Sequence, residues 1–167
     1  MFSRWVGLPA IRGHVMLSGA CFSIHIRRCQ VLMNITVEAL IAAPMERVWN
    51  AYTSPAHIIH WNAASDDWHT PAAMVDLRVG GNFSSRMEAK DGSFGFDFAG
   101  TYTAVEPCRL LEYSFGERKA AVQFLQQGAS VMVRVTFEAE TAHSLEQQRD
   151  GWQAILHNFA RYVAGLT

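Results

Sequence analysis

Apolar and polar positions along the chain change period several times, and each change marks an element. Ile35 to Ile41 alternates, with Ile35, Val37 and Ile41 on one face, which predicts a strand. Pro44 then stands where a helix takes its first residue, and Val48, Trp49 and Tyr52 form an apolar stripe at helical spacing. Ser54-Pro55 restarts the chain into a second short helix carrying Ile58, Ile59 and Trp61. Gly80-Gly81 signals a turn before the next strand.

The stretch from Gly81 to Glu106 predicts a hairpin. Asp91-Gly92 suits a two-residue type I′ turn, in which both central residues take positive φ. With Lys90 and Ser93 flanking the turn, Ala89 faces Phe94, Met87 faces Phe96, Ser85 faces Phe98, and Phe83 faces Gly100. On the other face Arg86 lies opposite Asp97, an opposite-charge cross-strand pair. A slip by one residue would mix the two sets, so the register is internally constrained.

Leu111, Tyr113 and Phe115 alternate in the next strand, and Ala120, Val122 and Phe124 in the one after it. Beyond a turn at Gly128, Val131, Val133, Val135 and Phe137 alternate with Met132, Arg134, Thr136 and Glu138, as in a half-buried antiparallel strand. Ser144-x-x-Gln147 is a capping box. It opens a long helix whose Leu145, Trp152, Ile155, Leu156, Phe159 and Val163 share one face. No repeat or second linker interrupts this order. The expectation is one α+β domain, a curved antiparallel sheet with a long helix laid across it.

Charge adds a boundary that the periodicity does not show. The 167 residues carry a formal net charge of −1, which excludes a globally basic nucleic-acid binder. Yet residues 1–33 hold Arg4, Arg12, Arg27 and Arg28 and no acid, leaving ten basic and fifteen acidic side chains for the rest. The expected division is a basic leader at 1–33 outside the fold and a domain at 34–167. Pro9, Arg12 and Gly13 break any apolar stretch long enough for a secretory signal. The leader reads as extra sequence before a start at Met33, as a transit peptide, or as a structured arm. Half of the residues are apolar, and no apolar run reaches the roughly 18 needed for a membrane span. Cys21, Cys29 and Cys108 have neither the even number nor the spacing of a disulfide framework or zinc site. A soluble cytoplasmic protein, monomer or homodimer, is expected, with no nucleic-acid partner and no cofactor.

Candidate chemistry is sparse. His57-x-x-His60, with His69 and the pair Asp66-Asp67 near it, could supply metal ligands, but the third ligand would have to come from the fold. Solvated histidines and an Asx-turn loop are the simpler account, and no metal site is assigned. Arg86, Glu88 and Asp97 read either as a polarising cluster or as a salt-bridged outer face, the second being favoured; Asp76 and Arg78 suit a strand-face pair. Cys108 follows Pro107 and has no base partner in view, so no catalytic residue is assigned. The aromatics say more. Phe83, Phe94, Phe96, Phe98, Tyr102, Tyr113, Phe115, Phe124 and Trp152 are all expected on one inward side. Aromatics at strand spacing usually form plain core; yet one helix across a strongly curved sheet often fails to fill the space beneath it, and a large apolar pocket is then the default binding site.

These residues carry a family likeness. Ile35-Thr36-Val37-Glu38-Ala39 followed by Ala43-Pro44-x-x-x-Val48-Trp49 resembles the opening of START-like (SRPBCC, helix-grip) proteins. Trp61-Asn62-x-x-Ser65-Asp66-Asp67-Trp68-His69, Asp76-Leu77-Arg78-Val79-Gly80-Gly81 and Arg86 to Ser93 resemble a narrower group. Gly100-Thr101-Tyr102 and Gly151 to Leu156 complete the match. That group is the bacterial proteins similar to the activator of the heat-shock protein 90 ATPase, and the likeness covers about residues 34–164. It implies a helix-grip fold of β-α-α-β6-α order with a cavity between the sheet and the final helix. It also implies a small hydrophobic ligand, lipid-like or aromatic and polyketide-like. The expected cavity walls are Phe83, Met87, Phe96, Phe98, Tyr102, Tyr113, Phe115 and Trp152, with Trp61 and Trp68 near the mouth. An enzyme of the polyketide cyclase or aromatase kind is the alternative, and a stress-related, chaperone-interacting protein a further one.

Overall fold

A computed structural model describes residues 33–166; the leader assigned to 1–33 lies outside the described residues apart from Met33. Strand β1 (Asn34–Ile41) is followed by helices α1 (Met45–Thr53) and α2 (Pro55–Trp61). Six strands follow: β2 (Trp68–Val75), β3 (Asn82–Ala89), β4 (Gly95–Glu106), β5 (Leu110–Phe115), β6 (Arg118–Gln127) and β7 (Ser130–Glu138). Helix α3 (Leu145–Ala164) closes the chain, so the α+β order β-α-α-β6-α holds.

The seven strands form one antiparallel sheet in the order β1-β7-β6-β5-β4-β3-β2. β1 and β2 are neighbours among the strands in sequence but lie on opposite edges. The chain between them therefore has to cross the open face, and α1 and α2 are that crossing. α3 makes its close backbone approach to β1, whereas α2 makes its own to β2. The two edges of the curled sheet are gripped by helices, and the middle strands are spanned by side chains.

Alternation decides which face is inside. Ile35, Val37, Ala39 and Ile41 are buried in β1, and Val131, Val133, Val135 and Phe137 in β7. The β3–β4 register is the expected one, with Phe83 opposite Gly100, Ser85 opposite Phe98, Arg86 opposite Asp97 and Met87 opposite Phe96. Gly100 is needed there. A Cβ at this position would stand 2.7 Å from the Phe83 ring and 2.3 Å from the Ser114 carbonyl oxygen.

The turn itself differs from the type I′ expectation. Only Gly92 takes positive φ (73°). Gly92 N–H donates to the Ala89 carbonyl, and the Asp91 carboxylate accepts from Ser93 N–H at 2.9 Å. Hydrogen bonds from the Ser93 hydroxyl and then from Ser93 N–H keep the Asp91 carboxyl below the usual range. The loop is longer than two residues, and the pairing is unchanged.

Two further expectations are corrected. Asp76 and Arg78 do pair, at 2.9 Å, but in the β2–β3 connection, because β2 ends at Val75. Phe94 precedes β4 and packs on Trp68 and Phe96 rather than on the inward wall. The capping box is present, with Ser144 Oγ accepting from Gln147 N–H and Gln147 Oε1 accepting from Ser144 N–H.

Candidate ligand cavity

The grip leaves a cavity of about 600 Å³ between sheet and α3. That volume falls within the range of small-molecule sites. β3 contributes Phe83, Ser85 and Met87, spaced by two on one face of the strand. β4 contributes Phe96, Phe98 and Tyr102; β5 contributes Leu111, Tyr113 and Phe115. Opposite them α3 presents Gly151, Trp152, Ile155 and Leu156. All ten residues assigned from sequence border this space, including Trp61 and Trp68.

The rings pave the sheet by touching one another. Phe83 meets Tyr113 at 4.9 Å and Tyr102 at 5.2 Å between centroids, and Phe98 meets Phe115 at 5.4 Å. Trp152 bridges to the helix. It stacks on Phe137 at 4.2 Å and touches Phe98 and Phe115 at 6.0 Å each. Trp61 closes the α2 end, its indole N–H donating to the Ala51 carbonyl at 2.9 Å, which ties α2 to α1. Phe124 faces inward too, but against Trp49 and Tyr52 rather than against the cavity.

Besides Tyr102 and Tyr113, which the sequence reading placed in the wall, the lining carries polar residues that the aromatic pattern did not single out, among them Asn62, Ser65, Ser85 and Gln147. Tyr52, read from sequence as part of a helix stripe, borders the cavity with Tyr102 and Tyr113. Gln148 is buried and committed elsewhere: its amide donates to the Glu140 and His143 carbonyls and accepts from Glu140 N–H. Arg118 sits 4.5 Å over the Phe115 ring, and burial lowers its pKa against the opposing pull of Glu140 and Glu138. For Glu140 burial acts upward, but hydrogen bonds from Ala142 and His143 hold its carboxyl below the usual range. Arg118, Glu140 and Asp150 are the charged residues of this wall.

The other candidates lie elsewhere. Arg86 pairs with Glu88 at 2.7 Å and with Asp97 at 3.5 Å on the outward face of β3–β4, and none of the three borders the cavity. The Glu88 hydrogen bond raises the Arg86 pKa, and the same bond lowers that of Glu88. His57 hydrogen-bonds the Tyr162 hydroxyl at 2.7 Å, His60 stacks on the Tyr162 ring, and His69 pairs with Glu88 at 3.6 Å. Asp67 accepts from the Ser65 hydroxyl in the α2–β2 loop. Among the described residues no cluster of three His, Cys, Asp or Glu side chains has metal-binding geometry. Cys108 stands at φ 58° in the β4–β5 turn. A second, polar cleft of about 420 Å³ shares Trp61, Asn62, Ser65 and Trp68 with the first and carries His60, His69, Lys90 and Arg161.

Comparison with known proteins now places this architecture. The family described as "Activator of Hsp90 ATPase homolog 1-like protein" matches residues 42–164, which spans every element from α1 through α3. The chain belongs to this family. The solution structure of an AHSA1-like protein from Aeromonas hydrophila is 50% identical over 78% of this chain and 92% of that one, with a TM-score of 0.75. A protein from Cytophaga hutchinsonii is 44% identical over 77% and 90%, with a TM-score of 0.69. A Chromobacterium violaceum protein shares the fold at 22% identity and a TM-score of 0.69, covering 79% of this chain and 98% of that one. No curated protein matches. In this AHSA1-like protein the START-like helix-grip expectation holds. Among the described residues no helix is long and apolar enough to cross a membrane.

Proposed function

We propose that this AHSA1-like protein binds a small hydrophobic molecule, lipid-like or aromatic and polyketide-like, in the cavity between sheet and α3. The observation that carries the reading is a space of about 600 Å³ lined mainly by aromatic and aliphatic side chains. Burial of ligand surface there contributes about 25 cal/mol per Å², offset by the cost of association. Phe83, Met87, Phe96, Phe98, Phe115 and Trp152 serve as apolar walls, Tyr102 and Tyr113 as walls with a polar tip. Trp61 and Trp68 stand at the α2 end. Residues 34–167 act as the binding domain, cytoplasmic and monomeric or homodimeric, and the basic leader takes no part in it. Binding is favoured over a cyclase-like activity because Arg86, Glu88, Asp97 and the helix histidines do not border the cavity. Of the charged residues that do, Arg118 lies over the Phe115 ring and Glu140 is engaged by hydrogen bonds from Ala142 and His143.

Native mass spectrometry of the purified protein tests this. The expected result is a small-molecule adduct that leaves on denaturation, or uptake of an added long-chain fatty acid or aromatic ketone by the adduct-free protein. A protein that stays at its sequence mass under all these conditions contradicts the reading.

A further inference from the structure

Three of the four tyrosines of this chain face the cavity from three different elements. Tyr102 on β4 and Tyr113 on β5 are direct cross-strand partners, with ring centroids 6.4 Å apart. Tyr52 reaches in from α1, held edge-on by Phe124 at 5.4 Å and Phe159 at 5.2 Å. The aromatic neighbours fix the rings at the cavity wall. Each also lies within electrostatic reach of the others: Tyr52 of Tyr102, and Tyr113 of both. No hydrogen bond from another described residue contributes at any of the three phenols. Among the described residues no sealed side-chain oxygen or nitrogen lacks a partner, so these hydroxyls open to the cavity they border. Burial pushes the Tyr102 phenol up to about 12, and those of Tyr52 and Tyr113 upward as well, so all three remain protonated at neutral pH.

The wall charges constrain what these donors can meet. Arg118 is accompanied by Glu140 and Asp150, and among the described residues no lysine or histidine borders the cavity. An anionic ligand group would be desolvated facing more carboxylates than cations, which is strongly unfavourable. A neutral acceptor has no such cost.

We propose that Tyr52, Tyr102 and Tyr113 form a polar subsite that donates hydrogen bonds to a neutral carbonyl oxygen of an otherwise apolar ligand, which makes aryl or alkyl ketones the preferred ligand class. This rests on the cavity being a ligand site. The carbonyl oxygen has two lone pairs and meets phenols from two strands and a helix, so the subsite fixes which end of the ligand enters deepest.

Three probes of nearly one shape test it by calorimetry: 2-acetylnaphthalene, 2-isopropylnaphthalene and 2-naphthoate. Tyr102→Phe and Tyr113→Phe are each expected to weaken the ketone roughly two- to ten-fold, leaving the hydrocarbon unchanged. The carbonyl stretch of the bound ketone, lowered in the native protein, rises in the double variant. Thermal midpoints no lower than native show that the variants keep the fold. Equal losses for ketone and hydrocarbon overturn the subsite. So does a naphthoate that binds more tightly than the ketone and loses affinity in the same variants. Failure of all three probes to bind the native protein overturns the ligand-cavity reading itself.

Discussion

The two halves of the sheet obey the same alternation and reach opposite ends. In the β1–β7–β6 half, inward residues are mostly β-branched or small, and the interior is filled. Val122, Val131, Val133 and Phe159 are 0% exposed. In the β3–β4–β5 half the inward residues are larger, yet the interior is hollow. Side-chain volume alone would predict the reverse. The difference lies in the helix. α3 approaches β1 closely enough for Leu156, Phe159 and Val163 to pack into the core there. Across the curl the backbones separate, and the rings of Phe83, Phe98, Tyr113 and Phe115 lie against one another instead of reaching the helix. Trp152 is the side chain that closes the distance, touching Phe98, Phe115 and Phe137. A glycine beside it, Gly151, faces the same space. Glycine inside a helix is intrinsically unfavourable, by roughly 0.5–1 kcal/mol relative to alanine.

The comparison breaks most sharply under truncation. Phe159→Ala, in the filled half, is expected to cost about 3–5 kcal/mol, read from urea unfolding, because it opens a void in close-packed surroundings. Phe98→Ala is expected to cost only about 1–2 kcal/mol, since its ring already borders empty space and loses contacts on one side. Equal losses would mean that the hollow half is packed in solution.

Much of this was legible in sequence, for identifiable reasons. The register of β3 and β4 followed from where Asp91-Gly92 falls relative to the alternating aromatics, and it survived a wrong turn type because the Asx bond at Asp91 changes the loop, not the pairing. The inward rings of β3, β4 and β5 were legible for the same reason, except Phe94, which has the right spacing but falls before β4 begins. Strand β2 was harder to place. Its alternation is broken by a bulge between His69 and Ala72, where Pro71 sits on the sheet edge. The hollow itself depends on the distance between α3 and the middle strands, which no residue pattern encodes directly. Tyr52 was hidden in a helical apolar stripe; that it borders the same cavity as two strand tyrosines is a tertiary fact.

A smaller effect sharpens the contrast from the side of pH. The tyrosines that border the cavity have phenol pKa values raised above the ordinary 10.0 by burial, that of Tyr102 to about 12. Folding therefore favours the protonated phenols. The stability they contribute is intact below pH 10 and is lost as pH rises from there through about 12. Absorbance titration should show these phenols ionising together with unfolding. Tyr102→Phe combined with Tyr113→Phe should move that transition upward by roughly half a pH unit. A transition that stays in place would place the alkaline weakness elsewhere in the fold.

The most direct test of the hollow-half account is ligand mapping by NMR, with 2-acetylnaphthalene added to the isotope-labelled protein. The account predicts shifts at the Trp152 indole and the Met87 and Ile155 methyls, with the Val131, Val133 and Val163 methyls unmoved. Shifts spread evenly over both halves, or confined to the outer face around Arg86 and Asp97, would contradict it.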